Sequence, residues 1–236
     1  MIIQKPYVLI EMVKTTPEVT VFKFKAQDNS RIDFVPGMFA MLFYKNQATG
    51  EQVGRAFSIA NSPNSDYLEF FIALINGRMT SKLAQAKTGD VYYVSAPYGQ
   101  FKFADGDKKL LFLAGGTGIA PFFSALRQMK EQGHVVDCAL MYSTKYSNDI
   151  IMKEELDSLT GSLKTKLVIT VTRPADGEVL PYETGHIDPD MILKHVADAK
   201  GRVCYICGPP AFVKAMKEGL LSIGTPQENI KVEMWG

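Results

Sequence analysis

The chain changes its hydrophobic period near residue 105, and that change restricts it to few folds. From Met1 to about Phe103 apolar and polar residues alternate in short runs, with Pro and Gly between them. This is the pattern of half-buried strands. In VTVFKFKA, Phe22 and Phe24 interleave with Lys23 and Lys25, as expected of a strand with one wet face. MFAMLFY, GRAFSIAN, YLEFFIALI and DVYYVSAP repeat the pattern, separated by PG, NSPNSD and TGD turns. About six or seven such strands predict a small antiparallel Greek-key β-barrel.

Beyond Lys109 the apolar residues come in unbroken runs that alternate with amphipathic stretches. LLFLAGG, CALMYS, LVITVTR, RVCYICG and IKVEMW read as strands, and PFFSALRQMKEQ, DIIMKEELDSL, DPDMILKHVADA and PAFVKAMKEGLLSI as helices. Five buried strands with helices between them predict a parallel α/β sheet covered on both faces. The turn residues Asp105-Gly106-Asp107 set the boundary, giving domains 1–104 and 105–236. A length of 236 residues agrees with one to two domains.

Composition excludes several classes. A 46% hydrophobic and 22% charged chain is neither disordered nor fibrous, and 26 basic against 25 acidic residues leave no global field for nucleic acid or membrane surfaces. Three cysteines are too few to staple a secreted fold. No apolar run is long enough to span a bilayer, and Lys5 and Pro6 interrupt the N-terminal one, so the expected location is the cytoplasm.

Three segments carry chemistry. In LLFLAGGTGIAPF, Gly115, Gly116 and Gly118 lie between a buried strand and a helix with Pro121 at its start. Such a turn lets backbone N–H groups approach a phosphate, with Pro at the first helical position. A tight strand-to-helix connection is the other reading, and the segment matches neither the G-x-G-x-x-G nor the G-x-x-x-x-G-K-[ST] pattern. CGPP, Cys207 to Pro210, ends the strand RVCYI at the edge where open parallel sheets bind ligands. Cys204 and Cys207, three apart on a strand, point to opposite faces, so no metal site is expected. In RAFSIAN a regular strand puts Arg55 and Phe57 on one face and Ser58 on the other: a cation for phosphate, a ring for a flat heterocycle, and a hydroxyl. Ordinary surface residues of a short strand are the other reading.

Taken together and in order, these motifs resemble the ferredoxin-NADP reductase family, which joins a flavin-binding barrel to an NAD(P)-binding parallel-sheet domain. Its R-x-[YF]-S corresponds to Arg55, Ala56, Phe57 and Ser58. The resemblance implies that Arg55 holds the flavin pyrophosphate, Phe57 flanks the isoalloxazine and Ser58 approaches its reactive nitrogen. Its G-x-x-[ST]-x-x-L is similar to Gly77 through Met79, Thr80 and Leu83, implying backbone N–H groups and the Thr80 hydroxyl on flavin phosphate. The family's P-x-G-x-F is Pro97 to Phe101, its G-G-T-G-[IV]-A-P is Gly115 to Pro121, and its C-G-P-P is Cys207 to Pro210. By the same resemblance Gly116, Thr117, Gly118, Cys207, Gly208 and Pro209 receive the nicotinamide nucleotide, with Thr117 and Cys207 beside the ring. KVEMWG is similar to the family's terminus, which makes Glu233 a proton-relay or positioning carboxylate and Trp235 a ring over the flavin. Ser58, Cys207 and Glu233 are thus the catalytic candidates; a solvated carboxylate is the other reading of Glu233.

The resemblance further implies FAD as the flavin. Ser143, Thr144, Lys145 and Arg173, with no acid before Asp149, point to NADP over NAD, although Lys145 and Arg173 also read as solvated loop ends. No iron-sulfur cysteine pattern accompanies the two domains, so electrons are expected to pass to a separate carrier such as ferredoxin or flavodoxin, or to an oxygenase component. Lys82, Lys87, Lys102, Lys108 and Lys109 read either as a docking face for an acidic carrier or as solvated surface. A relay subunit of a larger complex and an NAD(P)H:flavin or ferric reductase are the alternatives. A Cys207 thiol nucleophile is disfavoured, because His134, His186 and His195 sit near no matching motif.

Overall fold

The computed structural model describes residues 4–46, 49–75, 77–103, 106–134 and 136–234. Among these, the first unit is an antiparallel sheet of β1 (Lys5–Lys14), β2 (Val19–Ala26), β3 (Phe39–Lys45), β4 (Gln52–Ser58), β5 (Leu68–Ala73) and β6 (Val91–Tyr98), in the order β4-β3-β6-β1-β2-β5. The strand β6 inserts between β3 and β1, a Greek-key return. The sheet curls until its two edges meet: Ala60 N–H donates to the Glu69 carbonyl at 2.9 Å, and Glu69 N–H to Asn61 Oδ1 at 2.7 Å. A short helix α1 (Arg78–Leu83) follows β5.

The expected alternation in β2 holds. Phe22 and Phe24 are fully buried, and Phe24 meets Phe70 and Tyr92 at ring-centroid distances of 6.0 and 5.4 Å. Each such ring contributes about 1.5–3 kcal/mol on burial. Lys23 and Lys25 lie on the other face, paired with Glu11 at 3.1 Å and Asp66 at 2.7 Å.

The second unit is a parallel sheet in the order β10-β9-β8-β7-β11-β12. Its strands are β7 (Lys109–Gly115), β8 (Asp137–Thr144), β9 (Lys166–Val171), β10 (Glu183–Thr184), β11 (Val203–Gly208) and β12 (Ile230–Met234). The two-residue β10 is one strand more than the sequence pattern revealed, because so short a run has no period to read. Helices α2 (Ala120–Gln132) and α3 (Lys153–Ser162) cover one face, and α4 (Pro189–His195) and α5 (Pro210–Ser222) the other. Asp188 caps α4, its carboxylate accepting from Met191 N–H at 2.7 Å, and Gly133 ends α2 with a φ of 66°. The chain leaves β7 first toward β8 and later returns to β11 on its other side. The switch point of the sheet therefore lies between β7 and β11, where such sheets bind ligands.

One core crosses both units. Val19, Val21, Ala60 and Phe71 of the barrel are buried with Ile119, Phe122 and Phe123 of the second unit. The segment after β6 is anchored there too, with Phe103 4.6 Å from the Tyr205 ring. The two halves are consequently held at a fixed distance by packing.

Candidate active site

Two clefts open between the barrel and the carboxyl ends of β7 and β11. Their volumes are about 390 and 600 Å³, and Ala73, Ile75 and Thr117 border both. Thr117 belongs to the 3₁₀ turn Gly116–Ile119 that follows β7.

The first cleft takes four consecutive residues from β4: Arg55, Ala56, Phe57 and Ser58. Register places Arg55 opposite Leu42 and Phe57 opposite Ala40, whose side chains are fully buried, while Ser58 faces Phe39 on the other side of the sheet. Both faces reach the cleft because β4 is the edge strand. Arg55 is exposed, its guanidinium with no hydrogen bond or ion pair among the described residues, and Phe57 packs on Phe70 at 6.1 Å. Phe71 and Ile72 supply an apolar wall. An unpaired guanidinium beside an aromatic and aliphatic wall suits a flat heterocycle with an anionic tail.

Thr80 also borders this cleft, but its hydroxyl donates to the Ile75 carbonyl, with the Gly77 carbonyl 3.2 Å away. Its single proton is engaged by backbone, whereas the resemblance implies a hydroxyl on flavin phosphate. Met79 is buried in the barrel core, and Gly77 caps α1 without bordering either cleft.

Glu233, on β12, closes the first cleft from the second unit. Burial pushes its carboxyl above the ordinary glutamate range. Its register partner on β11 is Cys207, and the Cys207 thiol is wholly buried, with a pKa far above that of a free thiol for the same reason. Cys207 borders neither cleft: the strand turns its side chain into the core shared with Tyr205. Cys204 faces the opposite core, as strand alternation requires.

The second cleft is assembled from many segments. Gly116 and Thr117 come from β7's turn, Lys145 follows β8, and Pro209 and Phe212 open α5. Gly116 has a φ of 55° and open space where a side chain would stand. Gly118 is required for a different reason: a Cβ there would lie 2.3 Å from the Cys207 carbonyl oxygen. It serves contact between β7's turn and β11 instead of ligand approach. Gly208 likewise packs against Phe212 and Gly115 and touches no cleft.

The family models match both units: an oxidoreductase FAD-binding domain over residues 6–103 and an oxidoreductase NAD-binding domain over residues 112–218. The chain belongs to the ferredoxin-NADP reductase family. This reductase-family chain therefore carries an FAD-binding and an NAD(P)-binding domain. It is 29% identical over 218 residues to the electron transfer component of 2-halobenzoate 1,2-dioxygenase from Burkholderia cepacia, covering 90% of this chain and 62% of that protein. The chain spans about three fifths of the length of the curated relatives it matches. Among solved structures it resembles the FAD/NAD-binding domain of a Vibrio cholerae nitric oxide dioxygenase, with a TM-score of 0.89, 17% identity and 98% of each chain covered. A Neisseria gonorrhoeae ferredoxin NADP+ reductase with bound FAD and NADP superimposes with a TM-score of 0.79, at 24% identity and 98% coverage of each chain. These likenesses extend the shared fold over nearly the whole chain.

Sequence reasoning about this reductase module missed several cleft residues. Thr16 and Glu18, from the turn between β1 and β2 in the barrel, border the second cleft, as do Asp149, His186 and Phe212. Phe212 stood two residues beyond CGPP and was accessible to motif reading; the barrel residues had no local signal. Arg173 is exposed and borders neither cleft, its N–H donating to the Lys145 carbonyl at 2.8 Å. Lys108 and Lys109 lie at the amino end of β7, opposite the clefts, and Lys109 is paired with Asp198 at 3.0 Å. Trp235 lies outside the described residues. Among the described residues no helix is long and apolar enough to cross a membrane.

Proposed function

We infer that this chain is an FAD-dependent NAD(P)H oxidoreductase that passes electrons to a separate acceptor. The observation that carries this reading is the pair of clefts meeting at Thr117, one bounded by Arg55–Ser58 and the other by the strand ends of the nucleotide-binding sheet. Bound FAD supplies a two-electron acceptor for the nicotinamide hydride and a one-electron donor to the next carrier.

The residues present fit that cofactor. Arg55 neutralises the pyrophosphate, Phe57 covers the ring system, Ser58 donates to its polar edge, and Ala56 and Thr80 complete the binding surface, with Gly77 and Met79 holding the α1 turn behind it. Gly116, Thr117 and Pro209 receive the nucleotide, with Gly118, Cys207 and Gly208 supporting them from beneath. Hydride movement depends on near contact and alignment, so the walls orient and exclude water while no strong acid or base is needed. Glu233 retains its proton to a higher pH than an ordinary carboxylate, which suits it to exchange a proton at the mouth of the first cleft.

Lys145 in the second cleft supports NADP, while the neighbouring Asp149 favours a ribose diol, so both nucleotides belong in the test. The names of the relatives, electron transfer and reductase components of oxygenases, support an oxygenase component, ferredoxin or flavodoxin as acceptor. The two units divide between residues 104 and 105 in this reading. Three buried free cysteines support a reducing, cytoplasmic location.

The test is an anaerobic absorption titration of the flavin-loaded chain with NADPH and, separately, NADH. Bleaching by either establishes the oxidoreductase. A bound flavin that neither nucleotide bleaches leaves a relay subunit as the correct reading.

A further inference from the structure

Helix α2 starts at the first cleft, which Ala120 lines, and runs along the chain segment that leaves β4. Ser124, Arg127 and Glu131 share one face of that helix, and each reaches into residues 60–69 of the barrel. Ser124 Oγ donates to the Asn61 carbonyl at 2.7 Å. Glu131 accepts from Asn64 Nδ2 at 2.8 Å and from the Ser62 hydroxyl. Between them Arg127 Nη1 donates to the Ala60 carbonyl at 2.9 Å and to the Glu69 carboxylate, while its Nε and Nη2 each hold Glu155 of α3 at 2.8 Å.

Arg127 borders neither cleft but is one step from the walls of the first. Ala60 follows Ser58 by two residues. The guanidinium also lies 5.2 Å from the centroid of Phe123, which meets Phe71 edge-on at 5.1 Å, and Phe71 walls the first cleft. Glu69 is 1% exposed, so the pair is desolvated. A buried ion pair is a poor source of net stability, and the Phe71–Phe123 contact already joins the two units. What the fork adds is direction: it fixes the barrel segment against α2 in a single register.

We propose that Arg127 is a positioning residue for hydride transfer, holding the end of β4 at a set offset from the Gly116–Ile119 turn. The proposal rests on the oxidoreductase reading. Lysine at this position keeps a cation beside Glu69 but, as a point charge, cannot hold Ala60, Glu69 and Glu155 together. The hydride, a proton with two electrons, leaves the nicotinamide and enters the flavin, and the offset sets their approach. A misplacement of about 1 Å lowers such a rate by about 100-fold.

The experiment compares the wild-type chain with Arg127→Lys and Ser124→Ala, each loaded with FAD and mixed anaerobically with whichever of NADPH or NADH bleaches the wild type. Arg127→Lys is expected to slow flavin reduction at saturating nucleotide by about 10-fold or more, with nucleotide Kd unchanged within about 2-fold. The charge-transfer absorbance of reduced flavin with oxidised nucleotide is expected to fall with it. Ser124→Ala, which removes one bond of the seam, is expected to give a smaller decrease of the same kind. An unchanged limiting rate and unchanged charge-transfer absorbance in Arg127→Lys, whatever its melting temperature, overturn the proposal and leave Arg127 a structural fastener. If Arg127→Lys fails to fold, the same unchanged pair of readings in Ser124→Ala overturns it. A wild type that neither nucleotide bleaches overturns the oxidoreductase reading itself, a distinct outcome.

Discussion

The two clefts are built by opposite means. The first draws its polar chemistry from one strand, with Arg55, Ala56, Phe57 and Ser58 in succession, and it leaves the Arg55 guanidinium unpaired among the described residues. The second collects single residues from the ends of β7, β8 and β11 and from a barrel turn, and its key glycines serve packing as much as ligand approach. A local strand can change a binding residue without disturbing the fold, whereas a cleft made of strand ends cannot. Binding and stability are thus separable on the flavin side and joined on the nucleotide side.

That contrast is open to direct attack. Its largest expected effect is at Gly118, where an added Cβ meets the Cys207 backbone: Gly118→Ala should lower unfolding free energy by about 3 kcal/mol, read from the shift of the urea midpoint. A midpoint equal to the wild type would show that the turn relaxes freely and that the nucleotide side is not tied to packing. On the flavin side, Arg55→Gln should weaken FAD binding by about 10- to 100-fold, the value of a charge-assisted bond to phosphate, with the urea midpoint of the apoprotein unchanged. A comparable loss of apoprotein stability would remove the distinction between the clefts.

Lys145→Gln tests the one exposed cation that the second cleft gains from β8. Nucleotide Kd should rise by about 3- to 10-fold, with the difference shrinking as salt is added; a salt-independent change would remove its electrostatic role. The smallest effect concerns Glu233. Its carboxyl is raised in the folded chain, so the stability associated with the protonated form is present at low pH and lost as pH rises through the folded value. Glu233→Gln, which stays neutral, should melt about 1 °C higher than wild type at pH 7 and at the same temperature at pH 4. A destabilised Glu233→Gln at pH 7 would mean that the ionised carboxylate has a favourable partner in the fold.

Much of the fold was legible because each half keeps its own period. The Phe22/Lys23/Phe24/Lys25 alternation and the apolar run before Gly115 each state an environment that the structure supplies. Motif residues contiguous in sequence, above all Arg55–Ser58, were also found where a cleft needs them. The side-chain directions of Cys207 and Thr80 were not legible, because a side chain at the end of a strand and a hydroxyl in a short helix take their direction from their packed neighbours. Register with Glu233 goes with a Cys207 that faces inward, and the Ile75 carbonyl takes the Thr80 proton.

The amino-acid sequence by itself determined the two architectures, their order, the glycine turn and the Arg55–Ser58 motif, since periodicity and backbone freedom are local properties. Only the tertiary structure decided that Thr16 and Glu18 of the barrel reach the nucleotide cleft, that Arg173 does not, and that Ser124, Arg127 and Glu131 lock α2 to the barrel. Those contacts join residues far apart along the chain, and their geometry exists only once both cores have packed against each other.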